Sequence, residues 1–102
     1  MKKKYILSYD VHNEHQRIID QLIANRWHSI IQGMYDNGTP CICYLPETTW
    51  WKEFENSKHA LDEFTNIAGN ANVVRAVVSN FDDWRCTTSN PMNHQKEEAR
   101  NL

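Results

Sequence analysis

Apolar and polar residues alternate at the start of the chain. Tyr5, Leu7, Tyr9 and Val11 share one face of an extended segment over residues 4–11, and Ile6, Ser8 and Asp10 share the other. That period of two predicts a first strand. The period then lengthens: Ile18, Ile19, Leu22, Ile23 and Trp27 recur at helical spacing, Glu14, Arg17, Asp20, Gln21 and Asn25 are left for water, and Asn13 stands where a cap would. Residues 29–35 read as a strand again, and Asp36-Asn37-Gly38 predicts a tight turn into residues 41–45. This next strand is apolar on both faces, as expected of one covered from both sides. Over residues 49–68 the positions Trp50, Phe54, Leu61, Phe64 and Ala68 form a helical stripe, with a candidate break at Asn56-Ser57 and Gly69 as a left-handed stop. Residues 72–79 predict the last clear strand. Beyond Phe81 the period is lost; residues 84–88 are a candidate short strand and the rest is polar.

Strand, helix, strand, strand, helix, strand is the order of a ferredoxin-like α+β sandwich, βαββαβ, with a four-stranded antiparallel sheet and both helices on one face. Residues 1–80 form that domain on this reading, and residues 81–102 are a C-terminal extension. With both helices on one side, the other sheet face needs a cover, and a symmetric homodimer through the open face supplies one.

Composition narrows the class. At 102 residues the chain has one domain's length, and 40% hydrophobic residues with 3 Gly and 3 Pro exclude collagen-like and disordered classes. Lys plus Arg total 11 against 13 Asp plus Glu, for a net charge of -2, so the chain lacks the basic excess of a non-specific nucleic-acid coat. Lys2-Lys3-Lys4 opens like a signal peptide, yet the apolar stretch behind it ends at Asp10, too short for a secretory core, and no segment has the apolar length of a membrane span. Cys41 and Cys43 lie two apart on a strand, where bridging is poor, so three free thiols in a reducing cytoplasm are expected.

Candidate chemistry centres on Asp10. It closes the first strand just before His12, Asn13 and His15, and an Asp-x-His pair can reach one hard or borderline cation. A two-fold dimer would bring a second Asp10 near the first, and the paired carboxylates would attract a divalent ion. The competing reading makes Asp10 a cap of the first helix or its loop. His15, His28 and His59 read as surface or structural residues. Cys41-x-Cys43 lacks the second pair of a zinc site, and Cys86 lacks a base that would make it a nucleophile. Cations beside tryptophans, Arg26-Trp27, Trp51-Lys52 and Trp84-Arg85, would suit a single nucleic-acid strand, whereas tryptophans at helical spacing suit a core. The RNA-recognition motif shares the strand order, but its aromatic third-strand signature is missing here.

Tyr9-Asp10-Val11 at the end of the first strand, the Arg17-containing helix and Ile31-Gln32-Gly33-Met34-Tyr35-Asp36 together resemble the small CRISPR adaptation subunit and the virulence-associated protein D ribonucleases, over about residues 4–80. The resemblance implies a ferredoxin-like homodimer with Asp10 as ligand of a divalent metal, Mg²⁺ or Mn²⁺, at the dimer interface. It also implies a short strand after the fourth that pairs with the partner's sheet. The net charge of -2 fits the toxin-like members better than a DNA scaffold. The expectation is therefore a cytoplasmic, metal-dependent endoribonuclease-like or nucleic-acid-associated homodimer. Asp10 is its catalytic residue, Asp10 and His12 are metal ligands, and Arg17, Arg26 and Arg75 hold single-stranded RNA or DNA. The alternative is a non-catalytic interaction or inhibitor module that binds another protein.

Overall fold

In the computed structural model, residues 1–35 and 37–85 are described. The elements run β1 (Lys3–Val11), α1 (His15–Ala24), β2 (Ile30–Met34), β3 (Pro40–Tyr44), β4 (Thr49–Phe54), α2 (Ser57–Ala68) and β5 (Val73–Asn80). Among the described residues the protein is an α+β fold with two α-helices and antiparallel strands. These strands form a three-stranded sheet in the order β4-β1-β5 and the two-stranded hairpin β2-β3. The expected four-stranded sheet is thus split. Residue 28 reaches β4 for one bridge only, between His28 and Trp51, before the chain turns away into the hairpin.

The alternation read for β1 decides how the layers stack. Tyr5, Leu7, Tyr9 and Val11 are buried in one cluster with Ile18 and Leu22 of α1 and Ala60, Phe64 and Ala68 of α2, so both helices cover the same sheet face. Ile6 points the other way and packs with Trp51 against Ile31, Cys43 and Phe81. The hairpin has its own apolar side, and it buries that side on the sheet's second face rather than extending the sheet edge. That face is therefore partly covered from within the chain. Trp84 joins the second cluster, so the packed unit runs past residue 80.

Three local expectations need correction. Residues 49–54 are strand, not helix: Trp50 and Phe54 lie opposite Leu7 and Lys3 of β1, and the stripe they seemed to share with Phe64 is a coincidence of spacing across a turn. The break at Asn56-Ser57 is the true start of α2, whose Asn56 side chain accepts from His59 N–H at 2.9 Å. Asn13 does not cap α1; Glu14 holds the N-cap position with a left-handed φ of 63°. Residues 41–45 supply the second strand of the hairpin, as expected, but β3 pairs with β2 in a separate two-stranded sheet and is not a central strand of the main one. Of the candidate strand at 84–88, Trp84 and Arg85 are irregular and residues 86–88 lie outside the described residues, as does most of the 81–102 extension.

Helix α1 ends on a Schellman motif. Trp27 N–H donates to Leu22 C=O at 2.9 Å and Arg26 N–H to Ile23 C=O at 3.0 Å, with Arg26 at φ 68° in the position glycine usually takes. The motif drops Trp27 into the core, where its indole N–H donates to Glu63 at 2.8 Å. The same carboxylate takes Lys52 Nζ at 2.6 Å, and this partly buried trio ties α1, β4 and α2 together.

Candidate functional site

The β1–β5 ladder sets the site. Asp10 stands opposite Arg75, Ser8 opposite Val77 and Ile6 opposite Ser79, so these side chains share the face turned away from the helices. Among the described residues, the hairpin covers that face near Ile6, and Ser8, Tyr9, Asp10, Arg75, Ala76 and Val77 line a shallow cleft of about 250 Å³ beyond it. Arg75 donates to the Asp10 carboxylate at 3.4 Å, with side chains 78% and 52% exposed respectively. At that length and exposure the pair is held loosely.

A ladder irregularity between Asp10 and Val11 ends the regular pairing, and Asn72 takes over beyond it. Its carbonyl accepts from His12 N–H at 3.0 Å. Its side chain then forms a reciprocal pair with the backbone of Asn13, accepting at 3.0 Å and donating at 2.8 Å. The loop after Asp10 is thereby fixed in the direction of β1. Asp10 is not a cap of α1, because its carboxylate faces Arg75 across the sheet.

The structure brings together two of the five residues singled out, Asp10 and Arg75. His12 is exposed two residues on, and among the described residues no group of three or more His, Cys, Asp or Glu side chains is assembled that would hold a metal by itself. A single open carboxylate does suit Mg²⁺ or Mn²⁺, which keep most of their waters and take remaining ligands from phosphate. Arg17 lies elsewhere. It pairs with Glu14 at 3.0 Å and donates to the Ile67 and Ala68 carbonyls at 3.0 and 3.3 Å, closing the C-terminus of α2. Arg26 sits on the turn after α1, and no ion pair among the described residues joins it to Asp10.

The tryptophans divide by role. Trp27 and Trp50 are buried in the main core. Trp51 donates its indole N–H to Ile30 C=O at 2.7 Å, stacks with His28 at 4.4 Å between centroids and carries Lys4 Nζ 4.9 Å from its ring. Burial pushes the His28 imidazole below its ordinary value; Glu53 opposes that shift and Lys4 and Lys52 reinforce it. Cys41 carries a free thiol whose Sγ lies 4.0 Å, without a bond, from that of Cys43, and Cys43 itself is disulfide-bonded. Three free thiols were expected, and Cys43 corrects that reading.

Sequence reasoning missed Val77 and Asn72. The signal for Val77 was available: in Val73-Val74-Arg75-Ala76-Val77-Val78-Ser79, it is an apolar residue on the parity occupied by Arg75 and Ser79. Nothing local marked Asn72, whose role depends on a loop 59 residues away. No helix of the described residues is long and apolar enough to cross a membrane. No family model matches the chain, nor does any curated protein or solved structure.

Proposed function

We propose that the protein is a homodimeric, nucleic-acid-associated protein of the ferredoxin-like class. Its open sheet face engages a phosphodiester backbone, in the manner of the virulence-associated ribonucleases that its strand ends resemble. One observation carries this reading: a carboxylate and a guanidinium at 3.4 Å, both more than half exposed, at the rim of an open cleft. An exposed pair of this kind is worth about 0–1 kcal/mol, so either partner can be exchanged at little cost. Asp10 can give up Arg75 for a hydrated divalent cation, and the freed guanidinium can then take a phosphate through its paired N–H groups. A bound Mg²⁺ or Mn²⁺ would supply an activated water and neutralise charge on the phosphate. The β4-β1-β5 order, with helices α1 and α2 on one face, supports the ferredoxin-like assignment, with the fourth strand reduced to the His28–Trp51 bridge.

The test is cleavage of labelled single-stranded RNA and DNA with Mg²⁺, Mn²⁺ or EDTA, by the wild type and by Asp10→Asn. Cleavage that needs the ion and disappears in the variant is the expected result. Cleavage that survives either EDTA or the substitution would remove Asp10 from the chemistry.

A second reading has its own observation. Val77 is 62% exposed on the same face, beside Arg75, as a protein-binding surface would require. An interaction module of this kind would bind without divalent ions and cleave nothing.

A further inference from the structure

The alternation of hydrogen bonds fixes which way each backbone group of β5 points. Tyr9 N–H donates to Thr48 C=O and Phe81 N–H to Lys4 C=O, so odd residues of β1 bond to β4 and even residues to β5. In the observed register Arg75, Val77 and Ser79 of β5, and Phe81 just past its end, bond inward to β1. Ala76, Val78 and Asn80 therefore aim their N–H and C=O groups outward, and no strand among the described residues pairs with that edge.

Natural edges are guarded by proline, lysine, short length or inward charges. This one is eight residues long with no proline, lysine or glycine. Its single charge, Arg75, is already met by Asp10.

We propose that the outer edge of β5 is the seam of the homodimer, where it pairs antiparallel with β5 of a second copy to make one continuous six-stranded sheet. Self-pairing about a two-fold axis normal to the sheet keeps each residue opposite one of its own parity, which leaves few registers. Centring on Arg75 would oppose two guanidinium groups. Centring on Val77 instead sets each Val77 against Val77 of the second copy and each Arg75 against a Ser79. Ala76 and Val78 then exchange backbone hydrogen bonds with Val78 and Ala76 across the seam. The register is free of opposed like charges, and it covers the most exposed apolar side chain of the main sheet, Val77.

For its use of the open face, the inference rests on the proposed function. It also changes that picture: the two Asp10–Arg75 pairs lie on one surface, roughly 20 Å apart by strand spacing and rise, so each carboxylate would hold its own ion. The face stays open to a ligand spanning both copies.

Sedimentation of the full-length protein between about 1 and 300 µM tests the seam, since a single strand pair belongs among the small, weak interfaces. Val77→Lys and Val77→Glu should each be monomeric, and their equimolar mixture should recover the dimer, because position 77 opposes itself. Ala76→Pro removes an outward N–H that β1 does not use, and should also give a monomer with unchanged far-UV circular dichroism. Amide exchange at Ala76 and Val78 should slow as the protein dimerises. A wild type that stays monomeric throughout overturns the proposal, and so does a dimer that Ala76→Pro leaves intact, which would point to face-to-face packing. Asp10→Asn should dimerise normally, so loss of cleavage and loss of the seam are read separately.

Discussion

Trp84 lies so close over Gly33 of β2 that a methyl group on that glycine would stand 2.6 Å from the indole Cη2. The ring is held there by Phe81, 5.7 Å away between centroids, and together they close the second cluster under the hairpin. Gly33→Ala should expel Trp84, and overpacking of this kind costs about 1–3 kcal/mol. Denaturant unfolding of Gly33→Ala in the wild-type and Trp84→Ala backgrounds checks it, because the cost should largely vanish once the indole is gone.

Arg26 occupies a left-handed position that only glycine takes without strain. Arg26→Gly should stabilise the fold by about 0.5–1 kcal/mol, raising Tm by a few degrees in thermal melts. A lower Tm would mean that the arginine side chain makes a compensating contact.

Glu63 accepts from both Trp27 and Lys52, and its loss leaves the Trp27 indole N–H without its acceptor and Lys52 with the Asn25 carbonyl alone. Glu63→Ala should cost about 1–3 kcal/mol. Glu63→Gln keeps an acceptor for the indole and should cost less, which urea titration of the pair would reveal.

Asp10 and Arg75 should be nearly dispensable for folding. Because both side chains are more than half exposed, Asp10→Asn and Arg75→Ala should each change unfolding free energy by less than about 1 kcal/mol. A large loss in chemical denaturation would recast the pair as structural.

Tyr9 makes alkaline pH a probe of the core. Burial against Phe64 raises its phenol above the ordinary value of about 10, with Glu47 adding to the shift and the Trp50 hydrogen bond opposing it. The folded state therefore holds this proton more tightly than the unfolded chain. Its contribution is fully present below pH about 10 and is lost as pH rises through the folded value. Stability measured by denaturant should fall above that pH, and less steeply in Tyr9→Phe, which has no phenol to ionise.

Much of the architecture was legible in periodicity. The alternation of β1 correctly separated Tyr5, Leu7, Tyr9 and Val11 from Ile6, Ser8 and Asp10, and Ile18 and Leu22 were correctly assigned to a buried helical stripe. Residues 49–54 were misread because Trp50, Phe54, Leu61 and Phe64 satisfy a helical period over a stretch that is really strand, turn and helix. Apolar residues four apart sit on one face of a strand as well as of a helix. The candidate site was half legible. Asp10 at a strand end and Arg75 within the last strand were both singled out, but their pairing depends on register across 65 residues.

Local pattern and composition by themselves determined α1, the part of the second helical stripe from Ser57 onward, most of the strands, the sidedness of β1 and the candidacy of Asp10, because those depend on the spacing of apolar residues along one segment. Tertiary structure decided the rest. Whether the hairpin extends the sheet or lies across it depends on where the apolar side of Ile31 and Cys43 finds cover. Whether Asp10 caps a helix or meets Arg75 depends on how β5 registers against β1. Such outcomes are set by competition between distant surfaces for burial and for hydrogen-bond partners, and no stretch of sequence contains both competitors.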